Sequence, residues 1–214
     1  MRIPKVTDTR QKEYTTKLMR SVWWKRWLHV EAPYRWKVRR LQLGFVLDIG
    51  CGIGRQLAYL GGNGVGVDHN PHSIEVARAR GLTVFTTEEF QQSPYNCPER
   101  FDSLLVSHVL EHMTLSEGIH LVRSYLPLLK SGGRVVLITP QERSFHADPA
   151  HIQLIGFAEF QELADTLGLK LERQFSFPFP RWFGHWFPYV EFVGIYRKPG
   201  ACRPDLSAGT RIPP

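Results

Sequence analysis

The segment VLDIGCGIG, residues 46–54, constrains the fold of this chain more than any other feature. Its first part is a short apolar run, which is typical of a strand buried on both faces of a parallel sheet. Its second part is a glycine loop, in which backbone N–H groups and a ligand can approach each other closely. Since open α/β sheets bind ligands at the carboxyl ends of their strands, the segment predicts a parallel sheet with a binding site at that edge.

The rest of the chain agrees with this prediction, because strand and helix patterns alternate from residue 45 onward. The predicted strands are residues 45–50, 64–68, 82–86, 102–107, 134–139, 169–177 and 191–197. The predicted helices begin near residue 55 and at residues 71 and 157, and a further helix is predicted from residue 115 to residue 129. Five β-α units followed by a hairpin predict an α/β fold, a doubly wound, mainly parallel seven-stranded Rossmann-like sheet with an antiparallel C-terminal hairpin.

The positive charge of the chain is concentrated at its N-terminus. The net charge is +7, yet residues 1–40 alone hold 12 Lys and Arg against 3 Asp and Glu. Together with its tryptophans, this predicts a basic, aromatic helical extension over residues 1–42. The alternatives for its role are a lid, a peripheral contact with an anionic membrane and a contact with a polyanionic substrate. Residues 43–198 form the predicted sheet domain, and the Pro- and Gly-rich tail at 199–214 is predicted to be disordered.

Several classes of protein are disfavoured by composition. No apolar run approaches the roughly 18 residues of a membrane span, and the N-terminus lacks the apolar core of a secretory signal. The cysteines are odd in number, widely spaced and without a CxxC pair, which indicates neither a disulfide framework nor a structural zinc site. We therefore expect a cytoplasmic protein, with or without peripheral membrane contact.

The residues around the glycine loop indicate what kind of nucleotide it binds. Asp68 ends the second predicted strand, where a carboxylate can accept hydrogen bonds from a ribose diol. The dinucleotide fingerprint requires a third glycine where this chain has Arg55. Asp48, two residues before the first glycine, would repel a pyrophosphate but suits a cationic amino acid group. Both departures favour a cofactor without phosphates over a nicotinamide dinucleotide.

Four sequence blocks, in order, resemble the class I S-adenosylmethionine-dependent methyltransferases, in particular the small-molecule enzymes of the broad methyltransferase-11/23-like group. The blocks are VLDIGCGIG, GVGVDHN, FDSLLVSHVLEHM and YLPLLKSGGRVVLITP, and the resemblance covers residues 43–197. It implies S-adenosyl-L-methionine as the cofactor. The residues that it implies at the cofactor are Asp48, Gly50, Cys51, Gly52 and Gly54 at the methionine end, Asp68 at the ribose, His69 beside the adenosine, either Glu88 or Glu89 at the adenine, and Ser107 near the sulfonium.

The stretch HVLEH, residues 108–112, satisfies the H-x-x-E-H pattern of one class of zinc peptidases. Zinc binding by that pattern requires a continuous helix, whereas here a predicted strand runs directly into the motif. The sequence therefore predicts no metal. His108 and His112 are candidate catalytic residues. His108 is predicted to face the cofactor or the substrate, and the alternatives for His112 are that it caps the local turn or packs inside.

A second histidine-bearing stretch, HADPAHIQLIGF at 146–157, resembles the D-P-T-H segment of some methyltransferases that act on small molecules or saccharides. Asp148-Pro149 favours a turn, which would direct His151 to the substrate side of the sheet. His151 is therefore the predicted general base, with a purely structural role in the loop as the alternative. Because methyl transfer depends mainly on positioning, a base is needed only for a hydroxyl or a protonated amine.

The predicted function is transfer of a methyl group to an O or N atom of a small-molecule, saccharide or lipid-linked acceptor. The alternatives are a catalytically weak methyltransferase-like binding module, an RNA methyltransferase and a nicotinamide oxidoreductase. Nucleic acid is not an expected partner, since residues 41–214 carry a slight excess of acidic residues and no appended RNA-binding module is visible. The sequence leaves the acceptor and the oligomeric state open.

Overall fold

A computed structural model describes Thr16 and residues 31–200 of the chain. The predicted N-terminal extension therefore lies largely outside the described residues, as does the predicted tail from residue 201 onward. The described end of the extension is helix α1 (Ala32–Arg40), with Pro33 in its first turn. In the part of the chain that the structure describes, no helix is long and apolar enough to cross a membrane.

The described residues form one seven-stranded sheet with the order β3-β2-β1-β4-β5-β7-β6. The strands are β1 (Val46–Ile49), β2 (Gly64–Asp68), β3 (Val84–Thr86), β4 (Phe101–Ser107), β5 (Leu129–Pro140), β6 (Lys170–Phe177) and β7 (Glu191–Arg197). Strands β1 to β5 pair in parallel, and β7 is antiparallel to both β5 and β6. The predicted fold class, with its antiparallel C-terminal hairpin, is confirmed.

Helices connect these strands and cover both faces of the sheet. After α1 they are α2 (Arg55–Tyr59), α3 (Pro71–Ala79), α4 (Thr87–Gln91), α5 (Leu115–Tyr125), α6 (Glu142–Phe145) and α7 (Phe157–Thr166), with 3₁₀ turns at Leu110–His112, Leu126–Leu128 and Arg181–His185. Side chains of β1 alternate between two apolar clusters, Leu47 and Ile49 packing in one and Val46 in the other. That alternation explains why the strand is apolar throughout.

Three local predictions differ from the structure. Strand β5 begins at Leu129, five residues before its predicted start, because Leu129 is buried and pairs with Phe101 ahead of the glycine turn. Helix α5 ends at Tyr125 rather than continuing to residue 129, since Pro127 cannot donate a helical hydrogen bond. The segment after β3 forms helix α4, which begins with a capping box between Thr86 and Glu89.

Candidate active site

The glycine loop adopts a backbone conformation that only glycine enters without strain. Gly50 and Gly54 have φ angles of +71° and +74°. A Cβ atom on Gly50 would lie 2.4 Å from Cγ2 of Val109, so the loop needs glycine for space as well as for conformation. The N–H of Gly52 donates to Oδ2 of Asp68 over 2.8 Å, which ties the loop to the end of β2.

A cavity of about 670 Å³ lies along the carboxyl edge of the sheet. One end is formed by the glycine loop, Asp68 and His69, and the other by His108, His112 and His151. Tyr34 from α1 and the segment Tyr189–Glu191 also line it. The cavity thus brings most of the predicted cofactor residues and the three predicted histidines together at one site.

Asp48 is a buried carboxyl whose Oδ2 has no hydrogen-bond partner. Its relative exposure is 1%. Burial, helped by the nearby charge of Asp68 and opposed by Arg55, raises the pKa of Asp48 to about 8. An unsatisfied buried carboxyl on a cavity wall fits a cationic partner such as the α-ammonium group of the predicted cofactor.

Asp68 is held firmly but keeps capacity for a ligand. Its Oδ1 accepts from the N–H of Asn70 and its Oδ2 from the N–H of Gly52, each over 2.8 Å. A carboxylate has about four acceptor sites, so two backbone bonds leave room for a pair of ribose hydroxyls. The neighbouring His69 also lines the cavity, with Nδ1 3.7 Å from Oδ1 of Asp68.

Ser107 and Gln56 meet between the two ends of the cavity. Nε2 of Gln56 donates to Oγ of Ser107 over 2.8 Å, while Oε1 of Gln56 is buried without a partner. The sequence motifs point to Ser107 but miss Gln56, because a glutamine on a short helix carries no distinctive pattern. Cys51 also lines the cavity, and burial raises the pKa of its thiol, which makes it a packing group rather than a nucleophile.

The remaining predicted cofactor residues lie differently. Gly54 is the N-cap of α2, outside the cavity lining, and a Cβ there would lie 2.3 Å from Leu82. The cavity lining includes Thr87 but neither Glu88 nor Glu89. The carboxylate of Glu89 instead caps α4 and forms an ion pair with Arg78. The adenine contact predicted for Glu88 or Glu89 therefore remains a prediction without support from the geometry.

A chain of charged residues connects α1 to the end of the cavity formed by the three histidines. Lys37 forms an ion pair with Glu191, whose Oε1 lies 2.8 Å from Nε2 of His108. Nδ1 of His108 in turn lies 3.2 Å from Oε1 of Glu111. Burial opposes protonation of His108, but its contacts with the two glutamates raise its pKa to about 9. Burial likewise opposes ionisation of Glu191, yet Lys37 and His108 lower its pKa to about 2.

The predicted base, His151, lies beside His112, with ring centroids 5.0 Å apart. Nδ1 of His151 donates to the carbonyl oxygen of Phe145 over 2.7 Å, and the two rings stack at 5.3 Å. Glu111 joins these histidines in a group whose ligand-type atoms lie within 4.8 Å of one another. His108 is not in this group, so the H-x-x-E-H motif does not act as one unit.

Comparisons with known proteins place this fold and site in a class. Residues 47–137 match the family model described as a methyltransferase domain. These residues are therefore a methyltransferase domain of the type that uses S-adenosyl-L-methionine, and the resemblance seen in the sequence is confirmed. Asp48, Asp68 and the glycine loop fit that cofactor, as their geometry shows.

The curated relatives resemble this chain over only part of their length. The chain is 36% identical over 101 residues to a ubiquinone biosynthesis O-methyltransferase of Cereibacter sphaeroides, covering 44% of this chain and 40% of that protein. It is 32% identical over 102 residues to the protein of the same name from Aliivibrio fischeri, covering 44% of this chain and 43% of that one. The match thus spans less than half the length of these curated relatives.

Two solved structures share the fold at low identity. One is a S-adenosylmethionine-dependent methyltransferase from Archaeoglobus fulgidus, with a TM-score of 0.58 and 18% identity, covering 80% of this chain and 99% of that one. The other is the putative methyltransferase in a complex with the Haloferax volcanii Trm112 methyltransferase activator, with a TM-score of 0.64 and 17% identity, covering 92% and 100%. At such identities these similarities concern the fold alone.

Proposed function

We propose that this protein transfers a methyl group from S-adenosyl-L-methionine to a hydroxyl oxygen of a small-molecule acceptor. The observation that carries the proposal is the single cavity, which joins the Asp48 and Asp68 end to the His112 and His151 end. The curated relatives with 32% and 36% identity are named O-methyltransferases, which supports oxygen over nitrogen as the atom methylated.

The residues at the cofactor end have separable tasks. Asp48 receives the α-ammonium group and becomes ionised in doing so, because a cation beside a buried carboxyl lowers its pKa. Asp68 accepts the ribose hydroxyls with the lone pairs that its backbone bonds leave available. When bound, the cofactor supplies a methyl group on a positively charged sulfur, which departs as a neutral thioether.

At the acceptor end, the hydroxyl has to lose its proton as the new O–C bond forms and the C–S bond breaks. His151 donates through Nδ1 to the Phe145 carbonyl, so the neutral ring carries its lone pair on Nε2. A lone pair beside the acceptor is what a general base requires. This supports the proposal that His151 takes up the proton in the metal-free protein.

An apolar or lipid-linked acceptor suits the entrance of the cavity. Tyr189 and Val190 line the cavity and continue directly from an aromatic loop, residues 177–188. That loop exposes Trp182 by 67% and Trp186 by 85%. Exposed aromatic side chains beside a site are typical of a surface that receives an apolar ligand or contacts a lipid bilayer. A membrane contact is also predicted for residues 1–40, of which the structure describes only Thr16 and residues 31–40.

Cofactor binding is the first test of this function. By calorimetry we expect S-adenosylmethionine and its demethylated product to bind and NADH to bind negligibly. Asp68→Ala should weaken binding of both by more than about tenfold, because the ribose hydroxyls lose a charged acceptor. Asp165→Ala, an exposed position on α7, is the matched control and should bind as the wild type does.

Acceptor chemistry is the second test. Labelled cofactor should transfer its methyl group to hydroxylated aromatic compounds, more readily when these carry an apolar chain, and poorly to amines or saccharides. His151→Ala should lower turnover by about 10²–10⁴ while leaving cofactor affinity unchanged, if His151 is the base. Cofactor binding without transfer to any hydroxyl would favour the binding-module alternative, and preference for amines would refute oxygen as the target.

A further inference from the structure

We propose that Glu111, His112 and His151 form a binding site for a divalent transition-metal ion such as Zn²⁺ at the acceptor end of the cavity. One ligand-type atom from each of the three residues lies within 4.8 Å of the others. Two imidazoles and one carboxylate are a ligand set that zinc accepts, with three protein ligands and one open position. Bond lengths near 2.0–2.2 Å would place the ligand atoms roughly 3.3 Å apart, so small side-chain rotations complete the site.

The hydrogen bonds of the two histidines fix the tautomer that each neutral ring needs as a metal ligand. Nδ1 of His112 donates to the carbonyl oxygen of Ala150 over 3.1 Å, and Nδ1 of His151 donates to that of Phe145 over 2.7 Å. In each neutral ring the lone pair is therefore on Nε2. A backbone carbonyl that accepts from the other ring nitrogen is the usual outer partner of a metal-bound histidine, because it fixes both tautomer and orientation.

Glu111 provides an independent indication that this cluster binds a ligand. Its side chain is 1% exposed, yet Oε2 has no hydrogen-bond partner. Such a group is costly unless something pairs with it. Its backbone carbonyl also accepts from the N–H of Ile152 over 2.7 Å, which fixes the loop that carries His151 beside the carboxylate.

This site differs from the H-x-x-E-H arrangement of zinc peptidases. Both ring nitrogens of His108 are occupied by glutamates, Nδ1 by Glu111 and Nε2 by Glu191. His108 therefore acts as a positioning residue that holds Oε1 of Glu111, so that Oε2 is the oxygen available to the ion. The third ligand comes instead from the loop after β5, 39 residues beyond His112 in the sequence.

The open position on the ion would face the cavity, where an acceptor hydroxyl can occupy it. A divalent ion lowers the pKa of a bound hydroxyl, so the proton can leave to water while the oxygen forms the O–C bond and the C–S electron pair stays on sulfur. Under this arrangement His151 is a ligand rather than a base. This consequence rests on the proposed function, whereas metal binding itself does not.

The test uses the full chain, freed of metal by a chelator and then titrated with ZnCl₂ by calorimetry and with CoCl₂ by visible absorption. We expect one ion per chain. Glu111→Gln, His112→Gln and His151→Gln should each weaken binding by more than about tenfold, since even the loss of an outer partner costs about 10–100-fold. His146→Gln is the matched control, an exposed histidine on the same loop.

Each outcome decides the question. Absence of a stoichiometric ion would overturn the site, and so would an ion that the three variants bind as tightly as the wild type. Thermal unfolding shows whether each variant is folded. If Glu111→Gln does not fold, His151→Gln still tests the site, because residue 151 is a half-buried position on a loop. Metal binding without cofactor binding would refute the proposed function alone, and the reverse would refute the metal site alone.

Discussion

Replacing Asp48 by asparagine should stabilise the cofactor-free protein and at the same time weaken cofactor binding. Asp48 is buried, its Oδ2 lacks a partner, and burial together with the charge of Asp68 raises its pKa from 3.8 to about 8. A carboxyl in that position is kept for a ligand and not for stability. Asparagine has nearly the same shape but cannot ionise, so it removes the cost together with the negative charge.

The size and sign of the effect follow from proton linkage. Below pH 3.8 the carboxyl is protonated in both the folded and the unfolded chain. Between that pH and about 8 the unfolded carboxyl ionises while the folded one stays protonated, so the free energy of unfolding falls by about 1.36 kcal/mol per pH unit. At pH 7 this amounts to on the order of 2–4 kcal/mol, the lower figure allowing for water in the cavity.

Urea denaturation at pH values from 4 to 9, without cofactor, measures this directly. The wild type should lose stability relative to Asp48→Asn as the pH rises to 8 and no further beyond it, and the two should agree near pH 4. Asp165→Asn, on an exposed turn of α7, should follow the wild type within about 0.5 kcal/mol. Parallel pH profiles for wild type and Asp48→Asn, or unchanged affinity for the cofactor, would refute this account of Asp48.

Two further predictions concern the surroundings of the cavity. Lys37→Met should destabilise the protein by about 3 kcal/mol in urea, because the buried Glu191 then keeps only part of its charge compensation, from His108. Lys130→Met breaks an exposed pair with Asp102 and should cost at most about 1 kcal/mol, so equal losses would contradict this account. Replacing Trp182 and Trp186 by serine should reduce co-sedimentation with anionic vesicles severalfold, whereas Leu171→Ser, the control, should not. If the full chain does not co-sediment with such vesicles at low salt, the lipid contact is contradicted.

The fold could be predicted because its signals are local and repeated. Each strand between residues 45 and 139 contains a short apolar run. The helices predicted at residues 71, 115 and 157 have a proline at the start or apolar residues at helical spacing, and α2 directly follows the glycine loop. Two short helices, α4 and α6, could not be predicted, because they are too short for a repeated pattern. Helix α4 spans five residues and α6 four, too few for a period to emerge.

The cofactor end of the site was also predictable, since the glycine loop and Asp68 lie within one β-α-β unit. At the acceptor end the sequence indicates the three histidines but not their partners, because those contacts join distant parts of the chain. Lys37 and Glu191 are 154 residues apart, and His108 and Glu191 are 83 apart. In the sequence, Glu111 is part of the H-x-x-E-H motif, and the predicted strand before that motif argues against a zinc site. The loop that carries His151 places this histidine beside Glu111, and no spacing within the H-x-x-E-H motif predicts that contact.

Under the proposed function, the two ends of the cavity contribute to catalysis in different ways. Asp48 and Asp68 fit the ammonium and ribose groups, and methyl transfer changes neither. Their interactions are therefore the same in the ground state and the transition state, so they give affinity without acceleration and hold the demethylated product equally well. Acceleration has to come from groups that meet the charge changing on the acceptor oxygen. In the described part of the chain those groups are at the other end of the cavity, around Glu111, His112 and His151, whether the proton leaves to an imidazole or to water under the influence of an ion.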